Sequence, residues 1–225
     1  MFLNLLFIFL LYNTYVLHTG VRHRIEKFLK AHKISSYENV RNNDDFKDLY
    51  VAYRRKQANI VMLGDSVTQG VEWNELMDRN DIVNRGIGGD NTLGMLRRVD
   101  FVYQLDPKIC FIMGGVNDMK DGISAEEVFD RYKKIIVGLK EHGVIPVIQS
   151  TFYSIKLSSE KTDALNRLLK QYAERNGLYY MDLNQFLTTN KSFNSGCSFD
   201  GTHLTGQGYK IWGREVENAL KKYGL

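Results

Sequence analysis

The chain has 225 residues, with 30 Lys and Arg against 26 Asp and Glu and a formal net charge of +4. Hydrophobic residues make up 44% and charged residues 25%, which fits a globular protein with a sizeable core and excludes disordered and fibrous classes. The small positive excess is spread along the chain; its densest run, Arg54-Arg55-Lys56, reads as a solvated helix face, and no nucleic-acid-binding signature is present, so no nucleic-acid partner is expected.

The first 21 residues differ in kind from the rest. Met1 to Val21 carries no Asp, Glu, Lys or Arg. As a helix, about 20 residues at 1.5 Å each would span roughly 30 Å, the thickness of a bilayer core. This predicts an uncleaved membrane anchor over 1–21, placing the remainder toward the cell envelope or exterior. A cleaved signal peptide and a buried or interfacial helix are the alternatives; the basic n-region and small-residue cleavage site of a signal peptide are missing. Arg22, Arg24 and Lys27 follow the segment, and the positive-inside rule would hold them in the cytoplasm, so orientation stays open. Residues 22–57 are polar, with helical stretches near 22–32 and 43–56 that read as a connector and a first packing helix.

From residue 58 the pattern alternates. Short apolar runs occur at Ile60–Leu63, Ile82–Val83, Ile109–Met113, Val144–Ile148 and Leu178–Met181. Continuous apolar runs are expected of strands covered on both faces. Helical patterns lie between them at 92–104, 124–141 and 160–175, and a last one runs from Thr205 to about Tyr223. Ser124 with Glu127 forms a capping-box pattern, and Thr205 is a candidate N-cap. Strands alternating with helices predict an α/β fold with a parallel sheet and helices on both faces. Such sheets place their sites at the carboxyl ends of the strands.

Four loops there carry candidate chemistry. Gly64-Asp65-Ser66 follows the first strand and would hold a serine at the top of the sheet, before a helix start whose N–H groups favour developing negative charge. Asn84-Arg85-Gly86-Ile87-Gly88-Gly89-Asp90 lets backbone N–H groups approach a ligand. A dinucleotide fingerprint is the rival reading of that block, but Asn91 stands where a glycine or alanine is needed. Gly114-Gly115-Val116-Asn117-Asp118 offers an amide donor. Asp200-Gly201-Thr202-His203 places a carboxylate and an imidazole three residues apart, the pairing that serine-based nucleophilic catalysis requires. Each loop alone also reads as an ordinary turn. Of the other histidines, His18, His23 and His32 lie outside the strand-and-helix pattern, and His142 reads as a helix C-terminal cap. Cys110 and Cys197 make no disulfide framework, and no Cys/His cluster has metal-ligand spacing.

Taken together, the four blocks resemble the SGNH/GDSL hydrolase superfamily over roughly residues 58–222, and the glycine-rich block is most similar to the platelet-activating-factor acetylhydrolase-like branch. The resemblance implies a three-layer α/β/α sandwich around a five-stranded parallel sheet, with 58–225 as the catalytic domain. It implies Ser66, Asp200 and His203 as the catalytic triad, and Ser66, Gly89 and Asn117 as the oxyanion hole. Val67 departs from the leucine of the family name. The implied activity is hydrolysis of short acyl esters, foremost acetyl groups, on carbohydrate or lipid, without cofactor or metal. Acyl transfer, lysophospholipase or thioesterase activity with the same triad, and a glycan- or lipid-binding module of the same fold, are the alternatives.

Overall fold

A computed structural model describes residues 48–225. It shows a five-stranded sheet of order β2-β1-β3-β4-β5, formed by β1 (Ile60–Gly64), β2 (Ile82–Gly86), β3 (Ile109–Met113), β4 (Ile145–Gln149) and β5 (Tyr179–Met181). Every pairing within it is parallel. The five expected strands are all present. Alternation decides what each strand buries. Val61, Leu63, Cys110, Ile112 and Ile148 face one core, and Ile60, Met62, Ile109, Phe111 and Val147 face the other.

The first core is closed by α3 (Thr92–Arg97), α4 (Asp100–Tyr103), α6 (Ala125–Glu141) and α7 (Ser159–Arg175). The second is closed by α2 (Trp73–Leu76) and α9 (Gly206–Lys222), with Trp73 and Trp212 in edge-on contact at 4.9 Å between ring centroids. The result is the three-layer α/β/α sandwich. Short helices α1 (Ser66–Gln69), α5 (Val116–Lys120) and α8 (Asn184–Leu187) and a hairpin of β6 (Thr188–Thr189) and β7 (Ser192–Phe193) complete the described residues. The hairpin was not expected. Its strands are two residues each, too short to show a period.

The helix ends follow their sequence signals. Ser124 accepts a hydrogen bond from the Glu127 N–H, and Thr205 accepts one from the Gly208 N–H. His142 caps α6, its Nδ1 lying 2.8 Å from the Gly138 carbonyl oxygen. The single helix expected over 92–104 is two helices meeting at Arg98-Val99, because the Arg98 guanidinium is drawn beneath the sheet end. Of the helix expected over 43–56, residues 48–52 are helical and 53–58 are not. Cys110 and Cys197 are both buried and both free.

The expectation of membrane association and a membrane-anchored location is corrected here. Among the described residues, no helix is long and apolar enough to cross a membrane. The longest, α6, α7 and α9, have 17 residues, about 25 Å, and carry charges along one face. The segment expected to be the anchor, 1–21, and the helix expected at 22–32 lie outside the described residues.

Candidate active site

In this strand order the chain reverses its direction of winding between β1 and β3, where doubly wound sheets bind ligands. Ser66 follows β1 and Asn117 follows β3, so both candidates flank that point. Close approach there depends on glycine. A Cβ on Gly86, at the end of β2, would lie 2.3 Å from the Gln69 backbone nitrogen.

Ser66 is the first residue of α1 and is half-buried. Asp65 is its N-cap, buried, with Oδ1 accepting from the Val67 N–H at 3.0 Å. The helix is clamped from three directions. Tyr209 of α9 donates its hydroxyl to the Val67 carbonyl at 2.8 Å. Trp73 Nε1 donates to the Thr68 carbonyl at 2.9 Å. The Asn84 amide reaches the carbonyls of Thr68, Gln69 and Val71. Val67, the departure from the family name, is buried as a core residue. With four residues, α1 has too short a dipole to matter beyond its individual N–H groups.

His203 Nε2 lies 3.0 Å from Ser66 Oγ, and Nδ1 lies 2.8 Å from Asp200 Oδ2. The other carboxylate oxygen of Asp200 accepts from the N–H groups of Thr202 and His203, at 2.9 and 2.7 Å. One side chain thus closes the turn and orients the ring. Ser198 Oγ donates to the His203 carbonyl at 2.7 Å and locks the turn from behind. These bonds hold the Asp200 carboxyl down at about 2, first through the His203 backbone N–H and then through its ring, so Asp200 is an anion at any ordinary pH.

In the loop after β2, Gly89 takes a left-handed φ of 73° and is exposed. Asn117 Nδ2 donates one hydrogen to the Asp90 carbonyl at 2.8 Å. That bond fixes the amide, and among the described residues its second hydrogen is uncommitted. Behind this loop is an element that sequence reading missed. Asp90 and Arg98 form an ion pair at 2.7 Å, with both side chains fully buried. The same guanidinium donates to the carbonyls of Arg85 at 2.7 Å and Gly64 at 2.8 Å. It therefore joins the ends of β1 and β2 to the loop carrying Gly89. The only available signal was Asp90 within the glycine-rich block and a basic residue eight positions on, and surface charges look the same.

Asp118, next to Asn117, is likewise buried. It accepts from the N–H and hydroxyl of Thr92 and pairs with Arg131 at 2.8 Å. Burial raises its carboxyl despite these partners. Burial also pushes Asp65 up to about 7, reinforced by Asp90 and Asp118 and opposed by its bond from Val67. Among the described residues, no cluster of His, Cys, Asp and Glu could hold a metal ion.

Known proteins resemble this chain in sequence and fold. The GDSL-like Lipase/Acylhydrolase family matches residues 62–211. N-acylneuraminate cytidylyltransferase of Streptococcus agalactiae serotype III is 24% identical over 163 residues, which is 71% of this chain; the chain matches only 38% of that protein's length. Among solved structures, an acylhydrolase of Bacteroides fragilis shares the fold at a TM-score of 0.71 and 23% identity, covering 78% of this chain and 94% of that one. A Streptococcus pneumoniae structure described as a platelet activating factor does so at 0.72 and 20%, covering 90% of this chain and 99% of that one. With a family match across two thirds of its length, the chain belongs to the GDSL-like Lipase/Acylhydrolase family, within the SGNH hydrolase superfamily.

Proposed function

We propose that residues 58–225 form a serine esterase domain that removes short acyl groups, foremost acetyl, from carbohydrate, with Ser66, His203 and Asp200 as its triad. The observation that carries this is the continuous chain from Ser66 Oγ to His203 Nε2 at 3.0 Å and from Nδ1 to the Asp200 carboxylate at 2.8 Å. His203 takes the Ser66 proton as Oγ attacks the ester carbonyl. Asp200 fixes the tautomer that presents a bare Nε2 and stabilises the imidazolium. The Ser66 and Gly89 N–H groups and the free Asn117 amide hydrogen receive the charge that develops on the carbonyl oxygen, each donor contributing roughly 3–4 kcal/mol. His203 then protonates the departing alcohol, and water repeats the cycle on the acyl-Ser66 ester.

The carbohydrate reading is supported by the Streptococcus agalactiae relative, whose named substrate is an acylated sugar. The platelet-activating-factor acetylhydrolase-like branch is supported by the Gly86–Asp90 block. The test is a fluorophosphonate probe alongside acetate release from acetylated sugars. Ser66 alone should be labelled, and Ser66→Ala should release no acetate while melting as the wild type does. Labelling of another serine, or full turnover by Ser66→Ala, overturns the assignment.

A further inference from the structure

Two large apolar side chains stand in solvent beside the proposed base. Phe199 is 71% exposed and Ile155 is 78% exposed. Single exposed hydrophobics are common on protein surfaces. These two come from segments 44 positions apart and converge on the turn that carries His203. The Phe199 ring lies nearly parallel to the His203 ring, with 5.9 Å between centroids and 16° between planes. It is held there by its own backbone, because the Phe199 N–H donates to the His203 carbonyl at 3.2 Å. Ile155 donates its N–H to the Gly201 carbonyl at 3.1 Å. Its side chain lies against Gly201 so closely that a Cβ there would come 2.7 Å from Ile155 Cγ2. Neither side chain is needed for the turn's polar bonds, which the side chains of Ser198 and Asp200 and these two backbone N–H groups supply.

We propose that Phe199 and Ile155 form the platform that receives the alcohol part of the ester, and that this part is a pyranose ring. This rests on the esterase reading above. In that mechanism His203 Nε2 gives its proton to the departing oxygen, so the alcohol lies on the His203 side of Ser66. The carbonyl oxygen lies toward Gly89 and Asn117. An alcohol placed within reach of Nε2 extends over the neighbouring aromatic ring.

The chemistry of the surface selects the occupant. One flat aromatic face and one branched aliphatic chain cover about one ring. Their neighbours in the chain are hydroxylic or charged: Ser198 and Asp200 flank Phe199, Ser154 precedes Ile155, and Ser154 is bonded to Thr202 through their hydroxyls at 2.7 Å. A pyranose has an apolar C–H face and a polar rim of hydroxyls, so it matches an apolar centre with polar surroundings. A long alkyl chain would leave most of its length uncovered on a patch of two side chains.

The experiment compares the full chain with Phe199→Ala, Phe199→Trp and Ile155→Ser on two acetate esters, methyl glucopyranoside tetraacetate and ethyl acetate. The expected result is that the kcat/KM ratio of sugar ester to ethyl acetate falls about five- to tenfold in Phe199→Ala, mainly through KM, as loss of one aromatic contact implies. Ile155→Ser should lower the ratio less, and Phe199→Trp should keep it. A ratio unchanged in Phe199→Ala, or equal losses on both esters, overturns the platform while the esterase reading stands. A wild type inert toward both esters and unlabelled by the fluorophosphonate probe overturns both.

Discussion

The segment that carries Ser66 and the turn that carries His203 meet at 3.0 Å, yet different forces hold them. Behind the Ser66 and Gly89 side sits a charge pair with no solvent exposure at all, whose guanidinium also ties two strand ends together. The His203 side has side chains about a third exposed, at 32% for both His203 and Asp200, and is held mainly by hydrogen bonds within one turn, joined by Ser154 and Ile155 from a second segment. On one side a fault should appear as lost stability, because a buried charge cannot be left unpaired. On the other it should appear as lost rate, because water can replace what a surface turn loses. The proposed nucleophile is thus positioned by the core and the proposed base by its own few neighbours.

The largest expected effect lies on the turn. His203→Ala should lower kcat/KM by about 10⁴ or more, the scale for a base that acts as a unit with its nucleophile, with little change in melting temperature. Asp200→Asn and Asp200→Ala should lose less. Ser198 still locks the His203 carbonyl in both variants. In Asp200→Asn the amide oxygen can still accept from the Thr202 and His203 N–H groups. Steady-state rates and thermal melts of the three variants check this ranking. A His203→Ala protein that melts far below wild type would break the comparison by showing that the turn also carries the fold.

The opposite signature is expected of Arg98→Met. It removes the guanidinium that meets Asp90 at 2.7 Å and that bridges the carbonyls of Gly64 and Arg85. The expected destabilisation is about 3–5 kcal/mol, the scale for removing one partner of a buried pair. Denaturant unfolding of the variant measures it. A loss under about 1 kcal/mol would place Arg98 with the surface charges.

This contrast also marks what could be read from the chain. The five strands and the helices at 125–141 and 159–175 were legible because buried apolar runs and amphipathic periods are local patterns. The candidates Ser66 and Asn117 were legible because each sits in a short block at a strand end, and Asp200 and His203 because they share one four-residue block before the last helix. The Asp90–Arg98 pair was not, since a charged residue carries no mark of burial until tertiary structure supplies its partner. The break at Arg98-Val99 escaped notice for the same reason: the guanidinium is pulled inward by carbonyls of two strands far off in sequence. Phe199 was hidden by its place beside the block proposed to carry the base, where its exposure cannot be told from sequence.

The smallest expected effect concerns Asp65, which belongs to the buried side although it adjoins the nucleophile. Its carboxyl is pushed up to about 7 by burial, against an ordinary value of 3.8. Below about pH 4 it is protonated in folded and unfolded chains alike, and it adds no pH dependence. Between about 4 and 7 the unfolded chain releases the proton while the folded chain keeps it. Raising the pH therefore favours unfolding, and the stability held by the neutral form is lost as pH climbs through the folded value. A separation of about three pH units corresponds to on the order of 4 kcal/mol at most. Asp118, raised by burial in the same direction, adds a fall of the same sign that an Asp65 variant leaves in place. Asp65→Asn keeps an oxygen to accept from the Val67 N–H, so α1 retains its cap. The variant's melting temperature relative to wild type should rise from about pH 4 to about pH 7 and level off above that. Melts of both proteins across that range decide the matter: a constant difference would mean that Asp65 ionises normally, and that the floor beneath Ser66 is as accessible to water as the turn beneath His203.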